Sequence, residues 1–253
     1  MVQRMEKVLE RIMRGVEQAK NAPSENTYKC RKCRDTEFIF KTNERGHEYA
    51  VRCECFERNQ ALRFLKNSGI SEEDATKGFG SFETFDEAGL VTAKTKAIDY
   101  FKDFENIQGN RINSLLLCGA SGRGKTTLGM AVANNLIKKC IYVRYMPYRE
   151  EVTQLKQEIT DDRAYKEHMH KLKTARVLFI DDLLKGKVTE SDVNIVYEIV
   201  NARYLAKLPM IISTELMPND LMDFDEAIGG RLMEMCKGYV IPFDKSIQNY
   251  RLR

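Results

Sequence analysis

No stretch of the sequence approaches the roughly 18 consecutive apolar residues that a membrane-spanning helix requires, which excludes a helical span. The first twenty residues, Met1 to Lys20, are too often interrupted by Arg, Glu and Lys to serve as a signal peptide, and the cytoplasm is the expected compartment. Net charge is also scarce: 41 Lys and Arg stand against 37 Asp and Glu in 253 residues, a balance of +4. Residues 1–66 carry fifteen basic against ten acidic side chains, while residues 67–253 carry 26 against 27. Any nucleic-acid contact in the larger part must therefore come from a local cluster and not from a general basic field.

What is present begins with seven cysteines. A reducing cytoplasm favours metal ligation or isolated buried thiols over disulfides. Cys30 and Cys33 form one close pair, and Cys53 and Cys55 form another after nineteen intervening residues. Between them lie two strand-like runs, 37–41 and 48–52, about a turn at Asn43 to Gly46. Two close pairs across a hairpin suit a tetrahedral four-thiolate zinc site. Four structural or redox thiols are the alternative, and His47 is a possible substitute ligand. Upstream, Val2, Met5, Val8, Leu9, Ile12, Met13 and Val16 recur at three-and-four spacing. They predict an amphipathic helix over 2–20 that packs on the following segment or docks on a partner.

The stretch from 67 to 81 is rich in glycine and in small and acidic residues, and it reads as a linker between residues 1–66 and a second domain, 82–253. In that domain short apolar runs alternate with helical ones: 87–107, 112–118, 141–145, a long charged helical region 148–173, 177–182, 191–206 and 210–214. This alternation specifies an α/β fold with a parallel sheet sandwiched by helices.

The run Leu115 to Thr127 carries the chemistry. An apolar strand ends at Gly119, and G-x-x-x-x-G-K-T is completed by Gly124, Lys125 and Thr126 ahead of a helical run. Gly119, Gly122 and Gly124 let successive N–H groups turn inward on an anion, and Ser121 and Arg123 complete the loop. Lys125 is placed to reach terminal phosphates, the Thr126 hydroxyl to hold Mg²⁺, and Thr127 to follow in the first helical turn. About fifty residues on, Val177 to Ile180 form an apolar strand ending in Asp181 and Asp182. Asp181 would meet the metal and Asp182 would orient the attacking water.

These two elements, together with Thr189–Asp192, Asn201–Tyr204, Asp225–Leu232 and the N-terminal cysteines followed by Ser68-Gly69-Ile70, resemble the AAA+ ATPases of the DnaC/DnaI type, which load the bacterial replicative helicase, phage-encoded relatives included. The resemblance implies a P-loop AAA+ domain that takes ATP and Mg²⁺, self-associates and engages single-stranded DNA. It also implies a small N-terminal helical and zinc-binding domain that grips the hexameric replicative helicase. By position, Arg231 matches an arginine finger acting in trans, Ser213-Thr214 the place of the polar sensor, assigned to Thr214, and Arg251 the sensor arginine. Three residues depart from the pattern: Asp182 stands where Glu is common, Glu215 where Asn is frequent, and Gly230 where Ser is usual. Lys185-Gly186-Lys187 is the candidate DNA cluster, with Tyr142, Tyr145 and Tyr148 as possible stacking platforms. A transposition-helper ATPase, a small-molecule P-loop kinase and a nucleotide-switched zinc adaptor are the competing readings. The kinase lacks an evident lid and acceptor segment.

Overall fold

The computed structural model describes residues 28–244 and 247–250, so the helix predicted over 2–20 and the sensor assignment at Arg251 lie outside the described residues. The chain divides into two compact units, Met1–Phe56 and Glu57–Arg253.

In the first unit, β1 (Phe38–Thr42) and β2 (Glu48–Arg52) form an antiparallel ribbon in which Phe38 faces Arg52 and Thr42 faces Glu48. Asn43 closes the turn, its side chain accepting from the Arg45 and His47 amides. The helix α1 (Cys55–Ser68) starts at the last cysteine of the ribbon.

The second unit contains α2 (Ala88–Ile107), β3 (Leu115–Gly119), α3 (Lys125–Lys138), β4 (Val143–Pro147), α4 (Tyr148–Glu158) and α5 (Asp162–Thr174). It continues with β5 (Val177–Leu183), α6 (Glu190–Ala206), β6 (Met210–Thr214), α7 (Pro218–Phe224), α8 (Glu226–Met235) and β7 (Val240–Phe243). The five strands pair in the order β4-β5-β6-β3-β7, and every pairing is parallel. A parallel sheet needs helices on both faces, and strand alternation divides the side chains between them. Leu115 and Leu117 of β3, with Val177 and Phe179 of β5, pack among α2 and α3. Leu116 and Cys118, with Leu178 and Ile180, pack among α4 to α8. The α/β sandwich expected from the alternating runs is the observed architecture.

Two features depart from the sequence pattern. The charged region 148–173 is two helices instead of one, because Asp161 accepts from the Ala164 amide at 3.0 Å and starts a new helix there. Such a cap satisfies a first-turn amide that has no partner within the helix. The stretch 67–81 is fastened to the sheet's helices: Asn134 on α3 donates to the carbonyls of Asp74 and Lys77, both at 2.7 Å. The Tyr142 hydroxyl donates to the Asn67 carbonyl at 2.8 Å.

The joint between α4 and α5 rests on a buried histidine. His168 meets Glu151 through Nε2 at 2.5 Å and Glu158 through Nδ1 at 2.9 Å, and Arg144 of β4 holds the other oxygen of Glu151. The hydrogen bond to Glu151 leads in raising the His168 pKa, and Glu158 adds to it against the opposing effect of burial. A raised folded-state pKa contributes stability that is complete below the unfolded value, about 6.5, and is lost as pH climbs through the folded value. His168→Gln should therefore lower the urea midpoint more at pH 6 than at pH 9; an equal loss at both would show that the imidazolium contributes nothing.

Candidate functional site

The phosphate loop leaves the sheet at Gly119, whose φ of +119° and close approach leave no room for a side chain. A Cβ there would lie 2.2 Å from the Phe243 carbonyl oxygen of β7. The loop ends at Gly124, whose left-handed backbone, φ +93°, caps α3. Ser121, Gly122 and Arg123 form the turn between them. The described part of the C-terminal segment lies along this turn. The Tyr250 amide donates to Gly122 O at 2.6 Å, Arg123 donates to Ile247 O, and Tyr250 stacks on Phe82 with centroids 5.5 Å apart.

Lys125 is only 5% exposed, and its Nζ donates to the Gly119 and Ala120 carbonyls at 2.7 and 2.8 Å. Burial lowers its pKa, and the nearby charges of Glu215, Asp182 and Asp181 counter that shift. Thr126 and Thr127 follow in the first turn of α3. The Thr126 hydroxyl donates to Asp181 Oδ1 at 2.9 Å. A hydroxyl and a carboxylate converging in this way form the hard oxygen pair that Mg²⁺ takes. Asp181 is 6% exposed and also accepts from Ser213 Oγ at 2.5 Å and from the Tyr145 hydroxyl at 3.0 Å. Burial raises its pKa, with the Asp182 charge adding to the rise, while the three hydroxyls pull the other way.

The β5–β6 register shifts between Ile180 and Leu183, at the two carboxylates, and Asp182 sits at φ +55°. A bulge re-aims side chains at a strand's end. Here the Asp182 amide donates to Ser213 Oγ at 2.8 Å, and its carboxylate pairs with Lys185 at 2.8 Å. Lys185 also reaches Glu215 at 3.2 Å. The Asp182 hydrogen bond leads in raising the Lys185 pKa. Burial alone would raise Glu215, but hydrogen bonds from Lys185 and Ser121 hold it below the usual carboxylate range.

Several sequence-predicted residues lie elsewhere. Thr214, fully buried, donates to Leu183 O at 2.9 Å and accepts from the Leu216 amide at 3.2 Å; its neighbour Ser213 is the residue on Asp181. Of the pair Ser213-Thr214 the sequence assigns the sensor to Thr214, and it offers Tyr145 only as a possible stacking platform. The alternation of β6 could have suggested Ser213, whereas nothing local marks Tyr145. Arg231 lies on α8, bonded to Asn201 Oδ1 at 3.0 Å and Ala227 O at 2.7 Å, with its guanidinium 5.2 Å from the Tyr197 ring centre. In the candidate DNA cluster, Lys185 is engaged by two carboxylates, and the Lys187 carbonyl accepts from Arg149. Tyr148 is buried.

In the first unit, Cys30, Cys33, Cys53 and Cys55 bring their sulfurs within 4.8 Å of one another. Cys30 and Cys53 are 3.7 Å apart, and Cys33 and Cys55 are 3.3 Å apart. These separations exceed a disulfide bond and come near the roughly 3.8 Å edge of a tetrahedron with Zn–S bonds of about 2.3 Å. A backbone hydrogen bond from Cys33 leads in lowering the Cys30 thiol to about 7. The set can hold a tetrahedral metal and has no position left open for chemistry. Metal analysis of the purified protein should return one zinc per chain. Cys33→Ser should lose it and render residues 28–56 protease-sensitive; a zinc-free wild type would overturn the assignment.

Comparison with known proteins places this geometry. The family model described as IstB-like ATP binding protein matches residues 64–233. A Bacillus subtilis (strain 168) protein named YqaM is 38% identical over 221 residues, covering 84% of this chain and 70% of its own length. The phage-like element PBSX protein XkdC of the same organism is 33% identical over 248 residues, covering 94% of this chain and 92% of its own length. Among solved structures, DnaI superposes with a TM-score of 0.57 at 21% identity over 70% of this chain and 94% of its own. The DnaC helicase loader gives 0.58 at 16% identity over 68% of this chain and 99% of its own. At such identities these two attest the fold alone.

Proposed function

The chain belongs to the family of IstB-like ATP binding proteins, and on that premise we propose that it is an ATP-dependent loader. It binds the hexameric replicative DNA helicase in the cytoplasm and delivers it onto single-stranded DNA. The observation that carries the nucleotide part of this reading is the convergence of Thr126 and Asp181 beside the glycine-framed loop. Gly119, Ser121, Gly122, Arg123, Gly124, Lys125, Thr126 and Thr127 take the phosphates of ATP, and Thr126 with Asp181 takes Mg²⁺. Magnesium held by Thr126 and Asp181 would supply positive charge that offsets the phosphate charge during phosphoryl transfer. Lys125 exchanges its two carbonyl partners for phosphate oxygens. Asp182, whose partner Lys185 is already shared with Glu215, orients the attacking water. Arg231 enters a neighbouring copy's site, with Thr214 and Arg251 as sensors of the bound nucleotide.

Residues 1–66, with zinc on Cys30, Cys33, Cys53 and Cys55, grip the helicase, 67–81 is the connecting segment, and 82–253 is the ATPase. A closed four-thiolate site staples a piece too small to carry its own core, which suits a docking module and not a catalytic one. The family's IstB-like name keeps a transposition-helper role as the second reading; helicase binding separates the two.

Lys125→Ala should abolish ATP binding, whereas Asp182→Asn should bind ATP normally and turn it over at least about a hundredfold more slowly. A wild type that binds without detectable hydrolysis would leave a nucleotide switch instead of an ATPase. In a pull-down with the replicative helicase of the same host, wild type should be retained and the Cys33→Ser variant lost. Failure of wild type to bind would favour the transposition reading.

A further inference from the structure

The carboxylate that faces the metal position has two partners supplied by neither the phosphate loop nor the carboxylate strand, Ser213 of β6 and Tyr145 of β4, and only Tyr145 holds its second oxygen. Thr126 and Ser213 both donate to Asp181 Oδ1, at 2.9 and 2.5 Å, whereas Oδ2 accepts from the Tyr145 hydroxyl at 3.0 Å. Tyr145 comes from β4, a strand at the edge of the sheet, opposite Phe179 of β5 and two residues before Pro147, which pairs with Asp181 itself. Its ring packs on Phe179 with centroids 5.3 Å apart, so the phenol is braced before it reaches the carboxylate. Phe179 in turn lies against Gly129 of α3, where a Cβ would come within 2.6 Å of its ring.

The terminal torsion of an aspartate is broad and roughly two-fold, so nothing in the side chain itself decides which oxygen meets a cation. Two donors on Oδ1 fix one end of the carboxylate, and a third on Oδ2 fixes its plane. Resting on the ATP–magnesium reading above, we propose that Tyr145 is a positioning residue for the metal: it pins Asp181 Oδ2 so that Oδ1 stays aimed at the Thr126 hydroxyl. The cation then meets an oxygen pair already set. Partners that orient a metal's direct ligands are typically worth about ten- to a hundredfold in metal affinity.

The test uses the full chain and a fluorescent ATP analogue, titrated with magnesium at fixed nucleotide and separately with nucleotide in excess EDTA. Tyr145→Phe keeps the ring on Phe179 and removes only the hydroxyl. The magnesium midpoint should rise about tenfold, while nucleotide affinity in EDTA stays within a factor of two of wild type. An unchanged midpoint means that the tyrosine serves packing alone and overturns the inference. A lower midpoint means that the phenol competes with the cation, and an equal loss in EDTA means a general defect of the loop; either overturns it as well. Tyr145→His, which keeps a ring and a donor, should fall between wild type and Tyr145→Phe, and it replaces that variant if a melting curve shows Tyr145→Phe unfolded. A wild type that binds no nucleotide would defeat the ATP reading itself, and the inference with it. Magnesium-dependent binding by wild type that Tyr145→Phe reproduces defeats the inference alone.

Discussion

A carboxylate 6% exposed at the end of a strand persists as an anion only where donors replace the water it has lost. Asp181 obtains three such donors from three different elements: Thr126 at the start of α3, Tyr145 on β4 and Ser213 on β6. Each donor reaches it only if its strand or helix ends at the right height. The parallel pairing of β4, β5 and β6 and the docking of α3 against β5 are therefore tied together at one atom group. An unpaired buried charge costs several kcal/mol, so a slip of any one element would be felt at the others. The phosphate loop is the fourth dependent part, because Lys125 feels the Asp181 and Asp182 charges across the same cleft.

The described residues of the first unit meet the opposite problem, a shortage of buried apolar material. Among the described residues its buried core is Cys33, Cys53 and Cys55 with Ile39 against them, while Phe38, Phe40 and Tyr49 stand exposed on the ribbon. Hydrophobic burial on that scale is small, and the four sulfurs occupy the place that a core would fill. The ribbon register sets their spacing: the Cys53 amide donates to the Glu37 carbonyl at 2.9 Å, which draws the second thiol pair under the first. The one-residue gap between Cys53 and Cys55 is accommodated by starting α1 at Cys55 itself.

Much of this is legible in the sequence. The continuously apolar runs Leu115–Cys118 and Val177–Ile180, set between helical segments, specify strands covered on both faces, as found. What stayed hidden was set by tertiary register. The bulge between Ile180 and Leu183 turns Asp182 to a positive φ, which no local pattern announces. The register of β5 on β6, Ile180 opposite Ile212, brings Ser213 and not Thr214 to Asp181. Strand β7 has four residues, one of them Pro242, too few to show a period; an edge position tolerates the missing N–H. The break at Asp161 carries neither proline nor glycine, and an acidic cap inside a charged run has nothing to distinguish it from its neighbours. Tyr145 is a core-like aromatic by sequence, and only the height of β4 beside β5 brings its hydroxyl to the carboxylate.

The charged groups of the nucleotide cleft already hold partners. Lys125 rests on two carbonyls, Asp182 on Lys185, Lys185 on Glu215, and Asp181 on three hydroxyls. Occupancy is then a substitution reaction, in which each incoming group must displace a partner at least as well as it is replaced. A small anion can exchange with Lys125 but offers nothing to the carboxylates, and a lone cation offers nothing to the lysine. Only a ligand that brings polyphosphate and divalent metal together can trade with both sides at once, so the self-paired cleft works as a coincidence filter for the two.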